Sequence, residues 1–537
     1  MGRRFPFRGA LIALALIALL GWPALATVIE AIRDGDTGPV GGWFRPLQLA
    51  LESTRLVLAT EVLALPAGTL LALFLFRTDL WGRRLLLGLM ITGALMPMPL
   101  HAIGWLGALG NVGRAQFFGD RPLLTGWAGA AFVHAMAALP WVVLLVGVGL
   151  RSVEPELEEV ARLELPDWRV VLQVTFRRAI GGMLAAALMV AVLTSGDMTV
   201  TDLLLVRTYA EEAYIQEALG KGPAAMAIVT VPPLLVLGAL VLLGARTLLK
   251  AEPSRLPSPW DRPRDFALGR WRVALGVTAF LTVGWAIAVP ILGLFWRAGR
   301  LGGSVAAGVS PSWSLAHLVR SLLRASKTVG PYLVESALHA ALGATLAVAL
   351  AWVLAWLTRR PGPWRWVVAA SVALALATPA PVAGMALVLG YRSFSWISGG
   401  LPIVLLAYVL RTFAFALALL WVVLRTIPEV YFEAARMEGA GEALIARRVA
   451  WPLSRGAAGV AWLVCFLLAL GELPATKIVE SPGMNVLSVF VWGLLHTGVD
   501  SHLAAVGIVL LATFGLGGAL VLGAVGRWRR RTDRLHL

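Results

Sequence analysis

Glu433-Ala434-Ala435-Arg436-Met437-Glu438-Gly439, followed after nine intervening residues by Val449-Ala450-Trp451-Pro452, is the stretch on which the reading of this chain turns. It lies between two strongly apolar segments, 401–424 and 457–474, so it leaves a membrane and returns to it. A connection of about 30 residues is longer than a passive link between spans requires. Ala, Glu and Arg are good helix formers, and a glycine after such a run is a common helix stop, so the loop reads as two short helices hinged at Gly439.

The rest of the chain supplies the membrane. Of its 537 residues 59% are hydrophobic and 14% charged, which excludes a soluble globular domain. A helical span needs about 20 largely apolar residues. Twelve such runs occur, near 10–29, 49–76, 85–109, 126–150, 180–205, 225–249, 271–296, 332–357, 366–391, 401–424, 457–474 and 503–526. The expected fold is an all-α polytopic membrane protein of about 12 transmembrane helices. Pro and Gly inside several runs are compatible with this, because neighbouring helices re-satisfy the freed backbone groups.

Charge orients the chain. With the N-terminus inside, the cytoplasmic segments, taken with Arg246 and Arg272 at the inner edges of their spans, hold 31 of the 46 Lys and Arg residues and the outer segments 13; Arg55 and Arg411 fall deeper within spans. The inner clusters include Arg3, Arg4 and Arg8; Arg77, Arg83 and Arg84; Arg359, Arg360 and Arg365; and Arg527, Arg529, Arg530 and Arg531. This is the positive-inside pattern, and it accounts for a net charge of +16 without any nucleic-acid partner. Both termini are expected in the cytoplasm. Arg3-Arg4, an apolar stretch and Ala24-Leu25-Ala26 imitate a cleaved secretory signal, but the apolar run continues to Ile29, so an uncleaved first helix is expected. The single Cys465 allows no intramolecular disulfide and no cysteine metal cluster.

An internal repeat sets the organisation. Leu150-Arg151-Ser152-Val153-Glu154-Pro155 leads to Glu159-Val160-Ala161-Arg162, as Leu424-Arg425-Thr426-Ile427-Pro428 leads to Glu433-Ala434-Ala435-Arg436, at an offset of 274. Glu52-Ser53 matches Glu335-Ser336 at 283, and Gly196-Asp197 matches Gly471-Glu472 at 275. Two parallel six-helix repeats are expected, 1–250 and 271–537, related by an axis along the membrane normal. Between them, 251–270 is rich in Pro and charge and reads as a cytoplasmic linker.

The 433–452 pattern resembles the EAA loop of bacterial ATP-binding cassette (ABC) importer permeases: Glu-Ala-Ala, three residues, Gly, nine residues, Ile-x-Leu-Pro. Val449 and Trp451 replace the Ile and Leu. The resemblance covers nearly the whole chain, as two fused type I permease halves. It implies that each loop is a coupling helix docked into a cleft on a cytoplasmic ATPase. Two ATPase copies and an extracytoplasmic solute-binding protein are the implied partners, in a bacterial cytoplasmic membrane. On that likeness, Glu159 and Glu433 make polar or capping contacts with the ATPase, and Ala161, Ala434 and Ala435 permit close approach. Gly439 supplies the turn, and Pro452 ends the loop where the next span begins. Fused halves are familiar in ferric-iron and thiamine importers, and Gly471-Glu472-Leu473-Pro474-Ala475-Thr476 with Ser481-Pro482-Gly483 is most like the iron type.

The first loop departs from the pattern. Val160 replaces the middle Ala, Leu165-Pro166 stands at the glycine position, one residue is missing before Val174-Thr175-Phe176-Arg177, and Arg177 replaces the Pro. Pro166 suits the first turn of a second helix, so a helix–turn–helix is still expected.

No Gly-x-x-x-x-Gly-Lys-Ser/Thr loop occurs, nor a zinc-protease or Gly-x-Ser-x-Gly signature, so no catalytic residue, metal site or cofactor is assigned and ATP hydrolysis falls to a separate subunit. The function expected is the permease subunit of an ABC importer, with ferric iron as solute; thiamine or another small solute is the alternative within that class. An ion-driven secondary transporter is the alternative outside it. Such carriers keep ionisable groups at membrane depth, and Glu52, Glu61, His101, His134, Asp197, Asp202, Glu335, His339, Glu472 and His502 are available. Paired cytoplasmic loops have no use in a carrier of that kind. Asp197 and Glu472, each after a glycine at the end of a repeat's fifth span, are expected to face one translocation path and attract a cation.

Overall fold

The computed structural model describes residues 12, 14–34, 44–94, 96–110, 123–220, 222–250, 265–302, 312–481, 483–497, 501–513 and 515–516. Most of the expected linker, 251–264, lies outside them, as do the terminal arginine clusters and the end of the span 503–526. The described residues are almost entirely helical, apart from one two-residue hairpin pairing, Arg300–Leu301 with Ser312–Trp313. Seven helices are long and apolar enough to cross a membrane, and up to eleven if each bent pair counts as one span. This is the all-α polytopic fold that the apolar runs imply.

The helices before the linker are α1 (Trp22–Asp34), α2 (Phe44–Arg77), α3 (Arg83–Ala94), α4 (Met98–Leu109), α5 (Gly126–Arg151), α6 (Pro155–Arg162), α7 (Ile180–Gly196), α8 (Thr199–Leu203), α9 (Tyr209–Ala218) and α10 (Pro223–Lys250). After it come α11 (Arg272–Gly299), α12 (Leu315–Leu357), α13 (Pro363–Ala377), α14 (Ala380–Tyr391), α15 (Leu401–Thr426), α16 (Glu429–Met437), α17 (Trp451–Leu470), α18 (Pro474–Val479) and α19 (Leu487–Thr497). At about 1.5 Å per residue, the 43 residues of α12 reach roughly 64 Å, twice the apolar thickness of a bilayer. The span read at 332–357 is therefore only its second part. Its first part carries the exposed cations Arg320, Arg324 and Lys327 beyond the bilayer.

Two stretches expected as single spans are bent by more than 100°. The run 85–109 is α3 and α4 set at 106°, and the run 366–391 is α13 and α14 set at 110°. Both breaks fall at prolines. Pro97 and Pro379 have ψ of 148° and 145°, and each is followed by a second proline in the next helix's first turn, Pro99 and Pro381. Proline lacks the donor for the preceding turn and disfavours helical geometry in the residue before it. Apolar content marks such runs as membrane-embedded, but it does not distinguish a straight helix from an elbow.

Each elbow receives a helix from the far side of the linker. α11 packs on α4, and α1 packs on α14. The first contact is backbone against backbone: a Cβ on Gly104 would lie 2.6 Å from the Pro290 carbonyl oxygen, and one on Gly293 would lie 2.1 Å from that of Gly104. In the second, Trp22 Nε1 donates to the Gly390 carbonyl at 2.5 Å. Small residues serve such crossings because lipid offers no hydrophobic drive between helices, and close approach supplies dispersion instead.

Gly104→Val is expected to force α4 and α11 apart at a cost of about 1–3 kcal/mol, the usual range for overpacking. Thermal unfolding in detergent checks this. Gly88→Ala, at a helical site with open space around the added carbon, should leave the midpoint unchanged or raise it. Equal midpoints for the two variants would exclude close packing at this crossing.

Candidate functional site

Both motif loops fold as helix–turn–helix. In the second, α16 ends at Gly439, whose φ is +80°, with the Gly439 N–H donating to Arg436 O at 3.0 Å and the Ala440 N–H to Ala435 O at 3.0 Å. An added Cβ there would meet nothing within 4 Å. Glycine is required for the left-handed backbone, not for room. In the first loop, α6 ends without any left-handed residue. Leu165 N–H donates to Ala161 O at 2.8 Å, and Pro166, with ψ of 152°, stands just before the next helix at Asp167–Val170. The hinge is kept by a different device.

Past each hinge the chain does not pause before the membrane. Residues 442–470 form one continuous helix, so Pro452 sits inside it rather than ending a loop, contrary to the sequence expectation. The reason is a wide π-type turn at Ala446–Ala450, in which Trp451 N–H reaches back to Ala446 O and the bond that Pro452 cannot make is skipped. Val171–Thr175 forms the same wide turn 275 residues earlier, with no proline after it. Proline fits this turn and does not cause it.

Glu159, Glu433 and Ala434 are exposed on the loops, and Ala161 and Ala435 are half-buried. Around them the exposed faces are apolar, with Val160, Leu163 and Trp168 on the first loop and Val430, Tyr431 and Met437 on the second. Glu429 is held below the usual carboxylate range: burial pushes it up, but hydrogen bonds from Arg360 and Arg436 outweigh that. The sequence reading passed over Glu158. It is buried against Arg77, a residue counted there only as part of a basic cluster. A glutamate next to the motif on a helix of alternating exposure carries no sequence signal of burial.

Asp197 and Glu472 line one cavity of about 170 Å³. Four helix ends converge on it: Met96, Pro97 and Met98 at the first elbow, Ala380 at the second, Gly196 and Asp197 between α7 and α8, and Gly471, Glu472 and Pro474 between α17 and α18. The two carboxylates play matching parts. Asp197 Oδ2 accepts from Val200 N–H at 2.9 Å, and Glu472 Oε1 from Ala475 N–H at 2.9 Å, each capping the short helix that follows. Each also has a basic partner. His134 Nε2 lies 3.2 Å from Asp197 Oδ2, and Arg411 Nε lies 3.6 Å from Glu472 Oε2. Arg411 also donates to the Thr378 carbonyl at the second elbow, at 2.9 Å. An intramembrane arginine marks a functional site by default, and this is the signal that would have found it. Trp141 and Phe415 supply aromatic surface to the same cavity, and His101 completes its polar wall. Of the other ionisable candidates, Glu335 accepts from Asn485, Glu52 pairs with Arg55, and Asp202 pairs with His496; none of these lines the cavity.

The described residues form a bundle of apolar helices, several of them broken, around a cavity with a few convergent polar groups, and carry two helical loops. Residues 64–251 match the family of binding-protein-dependent transport system inner membrane components. Over 79 residues the chain is 28% identical to the spermidine/putrescine transport system permease protein PotC of Escherichia coli (strain K12), and equally to that of Shigella flexneri. The matched stretch is 15% of this chain and 30% of each relative, so the chain spans about a third of the length of the curated relatives it matches.

Asp197→Ala should cost about 1 kcal/mol through loss of the cap. Glu472→Ala should cost roughly 1–3 kcal/mol more, because it leaves Ala475 N–H without an acceptor and the Arg411 guanidinium without its carboxylate. Thermal unfolding in detergent compares them. Equal losses would show that the Arg411 pair adds nothing.

Proposed function

We propose that this chain is the permease subunit of an ABC importer, a transport subunit that forms the translocation path and couples to a separate ATPase. In this reading 1–250 and 271–537 are its two six-helix repeats, with both termini and both loops in the cytoplasm. One copy works with two ATPase subunits and an extracytoplasmic binding protein. The observation that carries the proposal is the pair of helix–turn–helix loops, 274 residues apart, with apolar exposed faces and matching wide turns where they enter the bundle. The family match over 64–251 supports it. Closure of two ATPase subunits would move both loops and tilt the helices around the central cavity, alternating its access.

For the solute we propose a small organic cation in place of ferric iron. Among the described residues no group of three or more His, Cys, Asp or Glu is placed to hold a metal ion. The relatives' name, spermidine/putrescine transport, points to organic cations. The cavity supports that class. Its two carboxylates counted against Arg411 leave one formal negative charge, and Trp141 and Phe415 line it with aromatic surface of the kind an ammonium group favours. Thiamine, itself an organic cation, stays within the class.

Reconstitution with the cognate ATPase and binding protein tests the proposal. Wild type should import labelled polyamine in an ATP-dependent way, and Asp197→Asn with Glu472→Gln should reduce that import about tenfold or more, the effect of roughly 1.4 kcal/mol. Import at the wild-type rate would sink the role of the carboxylates.

Gly439→Pro should abolish the turn, since proline cannot reach φ of +80° and lacks the N–H that bonds Arg436 O. Import and substrate-stimulated ATP hydrolysis are expected to fall together while the protein still inserts. Normal coupling in this variant would count against the loop as a coupling element.

A further inference from the structure

One ionic node outside the cavity lies where the first loop meets the bundle. Arg77, the last residue of α2, is fully buried, and its guanidinium reaches two other elements. Nη1 donates to Leu150 O at the end of α5 at 2.7 Å, and Nη2 donates to Glu158 on α6. The other oxygen of Glu158 accepts from Thr175 Oγ1 at 2.6 Å, in the wide turn that leads into α7. The backbone of the same arginine holds a fourth element: Phe266 N–H donates to Arg77 O at 2.7 Å, and the Phe266 ring lies 5.5 Å from the Arg77 guanidinium and 4.5 Å from that of Arg162. Phe266 lies near the end of the expected linker. Around it Arg83 pairs with Asp265 at 2.7 Å and Leu268 N–H donates to Asp79 at 2.9 Å, so this part of the linker region is tied down.

The second loop is fastened differently. Phe432 occupies the position 274 residues after Glu158, and no carboxylate stands there. Arg359, just beyond α12, lies 3.3 Å from the Trp356 ring centroid and 5.4 Å from that of Phe432, and it pairs with Glu442 beyond the hinge at 3.0 Å. Glu442 keeps 22% of its side-chain exposure, against 3% for Glu158. Both halves thus place an arginine from the end of a long span against the loop. The first link is the more deeply buried of the two, and its carboxylate is shared between a guanidinium and a hydroxyl.

We propose that Arg77, through Glu158, is the positioning residue that fixes the rotation of α6 and makes α2, α5, α6 and the entrance to α7 move as one body, replacing the glycine-based order that this loop lacks. The inference rests on the permease reading. A buried carboxylate shared between a guanidinium and a hydroxyl has one satisfied orientation, so α6 cannot turn about its axis without breaking both of its bonds.

The test separates positioning from mere folding. Arg77→Met alone leaves a buried carboxylate unpaired and is expected to lower yield, whereas Arg77→Met with Glu158→Leu removes both charges and should restore insertion. In membranes with the cognate ATPase, the double variant should keep ATPase binding and unstimulated hydrolysis. Its ratio of substrate-stimulated to unstimulated hydrolysis should fall about tenfold, within the usual range of coupling between sites. A wild-type ratio in the inserted double variant would overturn the proposal, as the pair would then serve stability alone. If the double variant does not insert, near-isosteric Thr175→Val removes only the hydroxyl. There the ratio should fall several-fold, and an unchanged ratio likewise overturns the proposal. Absence of stimulation in wild type would instead refute the permease reading.

Discussion

Every backbone N–H and C=O within a bilayer must find a partner inside the protein, and the arrangement of this molecule follows from that demand. An unbroken helix meets it alone. A broken one meets it only where the loose ends face protein or a polar cavity. Here four breaks gather around one cavity, and at two of them a carboxylate caps the next helix: Asp197 for Val200 and Glu472 for Ala475. The same side chains carry the cavity's charge. Backbone satisfaction and cavity charge are therefore joined in single residues, since Asp197 and Glu472 both bond a helix start and line the cavity.

The partners of those carboxylates bear on how strong a field the cavity offers. Two bare carboxylates facing each other would be costly to bury. His134 and Arg411 relieve that cost, and Arg411 extends the network to the carbonyl of Thr378 at the second elbow. The cavity's chemistry is thus tied to the geometry of its breaks, so a change in elbow angle alters the electrostatics that a solute meets. Elsewhere in the bundle, Arg77 at the end of α2 and Arg359 just beyond α12 each pair with a glutamate of a loop, the first fully buried and the second partly exposed. The loop whose sequence departs from the EAA pattern is the one with the closed ionic node, and it is also the one within the family match.

Membrane class, helical composition and the two loops were legible in the sequence because each rests on local or periodic signals. Apolar runs long enough to span, a basic bias on one side, and glycine after a run of helix formers all act over a few residues. Gly439 was read correctly for that reason, since a left-handed residue at a helix end is a local event. Pro452 was not. Whether a proline ends a helix or sits in one depends on the turn before it, and a wide turn leaves no mark in residue type. The elbows at Pro97 and Pro379 were hidden likewise, because apolar content sums over both arms of a bent pair.

The sequence by itself determined that this chain lies in a membrane, that it is helical, and that it carries two related loops, since these follow from transfer energies and local propensities. Only the tertiary structure decided which charges meet. Glu158 and Arg77 are 81 residues apart, Arg411 and Glu472 are 61 apart, and Arg77 and Phe266 are 189 apart. Their pairing is set by where helices cross, and crossing is set by glycines such as Gly104 and Gly293 that let backbones touch. A buried charge costs several kcal/mol unless its partner is in place. That partner is supplied by packing between distant segments, which residue order alone does not encode in any local pattern.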